Sequence, residues 1–148
     1  MGAIYRNIVQ SEKGFAHMLL LLIRLYWGWM FCVAGISKFQ YLYDIACYFY
    51  SIGLPWPVFF AVVVPFFEIV GGLSLFFGIF TRVFTVPLVV IMISALLTAH
   101  MEATRQFFTT PTLVFSQAPF FYLYAALIVM IFGPGRFSAD HAIGCEDK

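Results

Sequence analysis

Charge is what this sequence has least of. Only 10% of its 148 residues are charged, while 63% are hydrophobic. That leaves too little polar surface to coat a water-soluble globule, so the chain reads as an integral membrane protein. Neither sign of charge dominates, the formal net charge being +1. With no basic patch and no zinc-finger spacing, a nucleic-acid partner is excluded. Cysteine is scarce too: Cys32, Cys47 and Cys145 form no C-x-x-C pair, which excludes a thioredoxin-like couple and a four-thiolate metal or cluster site. Also missing are the dinucleotide-binding glycine fingerprint, a P-loop, G-x-S-x-G and H-E-x-x-H, so neither nucleotide-dependent nor standard hydrolytic chemistry is expected. Histidine is limited to His17, His100 and His141. The first two fall at opposite ends of apolar segments and the third in the C-terminal tail, so a haem held between two helices is not expected either.

What the chain does have is long apolar runs. Runs over about 17–37, 57–79, 82–100 and 118–134 have the length needed to cross a hydrocarbon core about 30 Å thick. The expected fold is all-α: a polytopic membrane protein with a four-helix transmembrane bundle over 17–136, an N-terminal arm over 1–16 and a tail over 137–148. Between the first two spans, Ile45, Phe49 and Ile52 recur at helical spacing among Tyr41, Tyr43, Tyr48, Tyr50 and Trp56, the pattern of an interfacial helix ending at Gly53-Leu54-Pro55. Phe80-Thr81 alone separates the second and third runs and demands a tight hairpin. Residues 101–117 read as a polar, Thr-rich loop and the tail as exposed. Arg6, Lys13, Arg82, Arg136 and Lys148 share one side, against Lys38 and Arg105 on the other, so both termini are expected in the cytoplasm.

One ionisable residue stands inside the second run. Glu68 lies near its middle, where a carboxylate is on the order of 2.5 to 3.5 kcal/mol less favourable than an apolar side chain. It must be neutral, paired with a cation on another helix, or in contact with a wet cavity. On the first span, Arg24, Gly28, Gly35 and Lys38 fall on one face, which is expected to meet another helix closely. Antiparallel first and second spans would bring Arg24 to the depth of Glu68 and allow them to pair; snorkelling of Arg24 to the nearer surface is the alternative. Pro65, one turn before Glu68, frees a backbone carbonyl. His100 closes the third span on the same side as Lys38. Glu68, Lys38, His100 and Arg24 together could bind a quinone-like head group, with Glu68 and His100 as the proton-active, catalytic pair.

The ordered set Arg24-Leu-x-x-Gly28, Gly35-x-x-Lys38, Gly53-Leu-Pro, Glu68-x-x-Gly-Gly, Gly78-x-x-Thr81-Arg82 and Pro134-Gly-Arg-Phe-Ser138-x-Asp140 resembles the DoxX family of small four-helix membrane proteins, across nearly the whole chain after the arm. The resemblance implies a four-helix bundle in a bacterial cytoplasmic membrane. It also implies quinone-coupled oxidation of reduced sulfur compounds, or membership of a membrane oxidoreductase complex with a soluble partner. The expected function is therefore a membrane subunit of a quinone-linked oxidoreductase system, binding a quinone-like or small redox ligand in the outer half of the bundle, working with a partner protein and able to form homo-oligomers. Two alternatives stay open: a structural anchor for a soluble enzyme, and a proton-coupled carrier acting as a dimer. No metal is expected.

Overall fold

The computed structural model describes the backbone of residues 2–133, 135 and 138–142, and the side chains of residues 14–133, 135 and 138–140. The described residues form helices joined by short turns, without a strand. Helix α1 runs unbroken over Gly2–Gln40, a length of about 58 Å at 1.5 Å per residue. The N-terminal arm is therefore helical from Gly2 onward and continuous with the first span. A turn at Tyr41 leads into α2, Leu42–Ser51. Helix α3 covers Pro57–Phe77 and α4 covers Thr81–Thr98. Two short helices, α5 (Met101–Arg105) and α6 (Pro111–Phe115), replace the loop expected over 101–117. Helix α7 spans Ala118–Phe132, and α8, Ala139–Ala142, ends the described chain.

Among the described residues three helices are long and apolar enough to cross a membrane: Gly14–Gln40 within α1, then α3 and α4. Helix α7 is equally apolar but has 15 residues, about 22 Å. The exterior of the bundle is built for lipid. Trp29, Val33, Phe59, Phe66, Leu73, Val86 and Tyr124 are all exposed, whereas the interior apolar cluster is small: Phe31, Leu75, Leu88, Met92 and Val129. Tyr122 joins that cluster through edge-to-face contacts with Trp27 and Phe31, their ring centroids 5.1 and 4.7 Å away. Its hydroxyl donates to the Met30 carbonyl at 3.3 Å.

Small residues set the closest approaches, because helices in lipid associate through tight packing rather than water exclusion. Helix α1 lies antiparallel to α3 with Gly28 facing Gly72. A Cβ at Gly28 would stand 2.8 Å from the Gly72 carbonyl oxygen, and one at Gly72 would stand 2.7 Å from that of Gly28. Gly35 meets Pro65 in the same way, with 2.8 Å to its carbonyl oxygen. The face expected from helical spacing on α1 is thus the face that packs on α3. On the other side of α3, Gly71 admits Leu88 of α4, and α7 completes the bundle against α4.

The α3–α4 hairpin is as tight as expected. Gly78 ends α3 at φ 71°, and its N–H donates to Ser74 O at 2.8 Å while Ile79 N–H reaches the same carbonyl at 3.1 Å. This left-handed stop leaves Phe80, also at positive φ (48°), to redirect the chain into α4. Helix α2 closes in a similar manner at Gly53, φ 75°, where Leu54 N–H donates to Phe49 O and Gly53 N–H to Tyr50 O, both at 3.0 Å. Those paired bonds satisfy the last carbonyls of the helix.

Candidate functional site

Glu68 is fully buried, and its cation is Lys38. Lys38 Nζ donates to Glu68 Oε1, forming the ion pair found among the described residues. The Lys38 side chain keeps 31% of its surface exposed, while that of Glu68 keeps 1%. Glu68 Oε2 is buried without a hydrogen-bond partner among the described residues.

The expected pairing of Arg24 with Glu68 is therefore corrected, for reasons of register and side-chain direction. The Gly28–Gly72 and Gly35–Pro65 approaches put Glu68 level with Cys32, whose Sγ–H donates to Ile69 O at 3.6 Å. Arg24 lies about eight residues, or ~12 Å, from that level toward the hairpin end, and Lys38 about six residues, or ~9 Å, on the other side. Helical side chains lean toward the N-terminus of their own helix. That lean carries Lys38 toward Glu68 and carries Arg24 away from it. Arg24 is nonetheless buried: its Nε donates to Leu75 O at 3.0 Å, and its guanidinium occupies the space where a side chain on Gly78 would stand.

His100 stands apart from the pair. It lies just beyond the C-terminus of α4, and the Gly71–Leu88 register puts it about nine residues, ~13 Å, from the Glu68 level. Its backbone N–H donates to Ala95 O at 3.1 Å and its carbonyl accepts from Thr104. The structure thus brings together two of the four expected site residues, Lys38 and Glu68. His100 sits further out on the same side, and Arg24 near the opposite end.

A second polar centre surrounds Arg24. Asp140, expected to be exposed in the tail, is buried against the α3–α4 hairpin. Its carboxylate accepts from Phe80 N–H at 2.7 Å and Thr81 N–H at 3.0 Å, and its own N–H donates to Gly78 O at 2.9 Å. Ser138, also buried, donates to Gly135 O at 2.8 Å, and its Cβ would stand 2.8 Å from a Cβ on Gly78. Helix α4 has Phe80 at its N-cap and no local side-chain cap, so an acceptor for its first amides has to come from elsewhere in the chain. Asp140 supplies it, together with a negative charge at the positive end of the helix dipole. The missing cap was the one signal in the sequence that could have exposed this role. Arg136 and residues 143–148, which include Cys145, lie outside the described residues.

A family model, DoxX, matches residues 19–101, more than half of the chain. The chain belongs to the DoxX family. The match takes in Arg24, Lys38, Glu68, Thr81 and His100; α7 and Asp140 lie beyond it. Among curated proteins, this DoxX chain is 40% identical over 83 residues to "Putative oxidoreductase CatD" of Bacillus subtilis (strain 168), covering 56% of the chain and 60% of that protein. It is 36% identical over 87 residues to "Uncharacterized membrane protein Rv3486" of Mycobacterium tuberculosis (strain ATCC 25618 / H37Rv), covering 58% of the chain and 53% of that protein. The aligned part thus spans little more than half the length of these relatives. No solved structure matches the chain. The DoxX family and the apolar helices together make this a membrane protein.

Proposed function

We propose that this DoxX protein is the integral membrane subunit of a quinone-linked oxidoreductase system in a bacterial cytoplasmic membrane. The carrying observation is the Lys38–Glu68 pair: a fully buried carboxylate in an apolar helix, held by a cation that is itself partly open at one side. Ionisable groups at such depth are costly and mark ligand or proton sites. The name of the Bacillus subtilis relative supports redox chemistry. In this reading Lys38 donates to a ring carbonyl and Glu68 holds and passes a proton. His100 is a second donor further out, and Arg24 braces the opposite end. The electrons come from a partner protein or directly from a small reductant.

In the same reading α7 completes a fourth passage, the bilayer adjusting to its 15 residues. Helix α2, with Tyr43 and Tyr50 exposed, lies in the outer interface, and both termini are cytoplasmic. A proton-coupled carrier is disfavoured because its acid would stand without a cation of the protein's own, whereas Glu68 is paired with Lys38. A membrane anchor for a soluble enzyme is the second reading. It is favoured by the way the Arg24 guanidinium fills the space beside Gly78, as a charge used for packing would. Purification with native lipid, followed by extraction of bound quinones and calorimetric titration with a quinone analogue, decides between them. Retained quinone and saturable binding support the first reading. The absence of both, with a soluble enzyme co-purifying, supports the anchor.

A further inference from the structure

The two oxygens of Glu68 are not equivalent. Oε1 accepts from Lys38, whereas Oε2, equally buried, has no donor among the described residues. A carboxylate oxygen beside an ammonium can only accept a hydrogen bond, and a buried acceptor left unmade is costly, more so when charged. Lys38, whose ammonium holds Oε1, is long, has several rotatable bonds, and is 31% exposed where Glu68 is closed off. A ligand arriving from the Lys38 side therefore meets an ammonium first, with donors to spare, and behind it an acceptor in need of a donor.

We propose that the site is built for the hydroxyl-bearing, reduced form of its ring ligand, a hydroquinone, in preference to the oxidised quinone. This rests on the quinone reading above and deepens it. The two redox forms share size, ring and tail and differ at the oxygens. A quinone carbonyl can only accept, so it is satisfied by Lys38 but leaves Glu68 Oε2 as it was. A hydroquinone oxygen can accept from Lys38 through a lone pair, and its O–H can donate to Oε2, forming the charge-assisted bond that the protein itself leaves unmade. The proposal concerns binding preference alone, with no electron transfer in the step: one O–H···O⁻ hydrogen bond is gained.

The test is anaerobic calorimetric titration of the purified full chain in lipid nanodiscs with decylubiquinone and, separately, with the hydroquinone made from it by reduction. The hydroquinone is expected to bind about tenfold more tightly, the equivalent of one hydrogen bond to a charged acceptor. In Glu68→Gln, where an amide replaces the acceptor-only group, the preference is expected to shrink to within about twofold. Equal affinity of the native protein for the two forms, or tighter binding of the quinone, overturns the preference while leaving quinone binding intact. Failure to bind either form overturns the quinone reading itself. An undiminished preference in Glu68→Gln overturns the assignment to Oε2, and the native comparison stands even if that variant does not fold.

Discussion

Removing Lys38 is expected to harm this protein more than removing the charge of Glu68. Two unit charges about 4 Å apart attract by about 4 kcal/mol at an effective dielectric of about 20. Against this stands desolvation, complete for Glu68 and partial for Lys38, whose side chain is 31% exposed. Polar contacts measured between membrane helices average about 0.6 kcal/mol and reach about 1.7, so a net coupling of about 1 to 2 kcal/mol is expected. Lys38→Met strands a buried carboxylate, at a cost approaching the ~3 kcal/mol typical of breaking a buried pair. Glu68→Gln strands only an ammonium that can extend to the surface, so its expected cost is about 1 kcal/mol. The double variant should then cost about 1 to 2 kcal/mol less than the sum. The assay is a double-mutant cycle on reversible unfolding in mixed micelles. Arg24→Met with Glu68→Gln serves as the control and should be additive to within about 0.5 kcal/mol, since the groups lie ~12 Å apart along the bundle. Additivity for Lys38 and Glu68, or coupling for Arg24 and Glu68, would refute the register on which the site rests.

Further expectations follow from the packing and from the proposed orientation. Asp140→Asn removes the charge from the α4 N-terminus and forces an amide nitrogen or a single oxygen onto two donors; a loss of about 1 to 2 kcal/mol is expected in the same unfolding assay. Gly28→Ala places a Cβ 2.8 Å from backbone atoms of α3 and is expected to cost about 1 to 3 kcal/mol. Gly14→Ala, with nothing within 4 Å of its Cβ, should stabilise by up to about 1 kcal/mol; equal effects at the two positions would show that the α1–α3 approach is not tight. With Cys32 and Cys145 replaced, exposed Cys47 on α2 should react with an impermeant thiol reagent added to intact cells, and protection there would reverse the proposed orientation.

Much of the architecture was legible because lipid simplifies the code. Uninterrupted apolar runs located α1, α3 and α4, and the 100° rotation per residue put Arg24, Gly28, Gly35 and Lys38 on the face that packs against α3. Phe80-Thr81 left no room for anything but a hairpin. The partner of Glu68 was not legible, because run lengths fix depth only to within a few residues. Choosing between Arg24 and Lys38 needed the Gly28–Gly72 register and the N-terminal lean of helical side chains. Asp140 escaped for another reason. It lies 60 residues from Phe80 in sequence, with no periodic pattern to link them, and its charge suggested exposure. The helical turns over 101–117 were hidden by a Thr-rich composition; Thr104 spends its hydroxyl on Leu96 O at 2.7 Å and closes the segment onto α4.

The Asp140 contacts also impose an order on synthesis. Phe80 and Thr81 leave the ribosome 60 and 59 residues ahead of the carboxylate that receives their N–H groups, a delay of about 3 to 12 s at translation rates of about 5 to 20 residues per second. During that interval the start of α4 faces the membrane boundary with its amides open to water or lipid phosphate. The hairpin becomes fully bonded only when the C-terminal segment arrives. A chain cut before Ser138 leaves an α3–α4 turn that lacks its acceptor and a Gly78 carbonyl that has lost its donor.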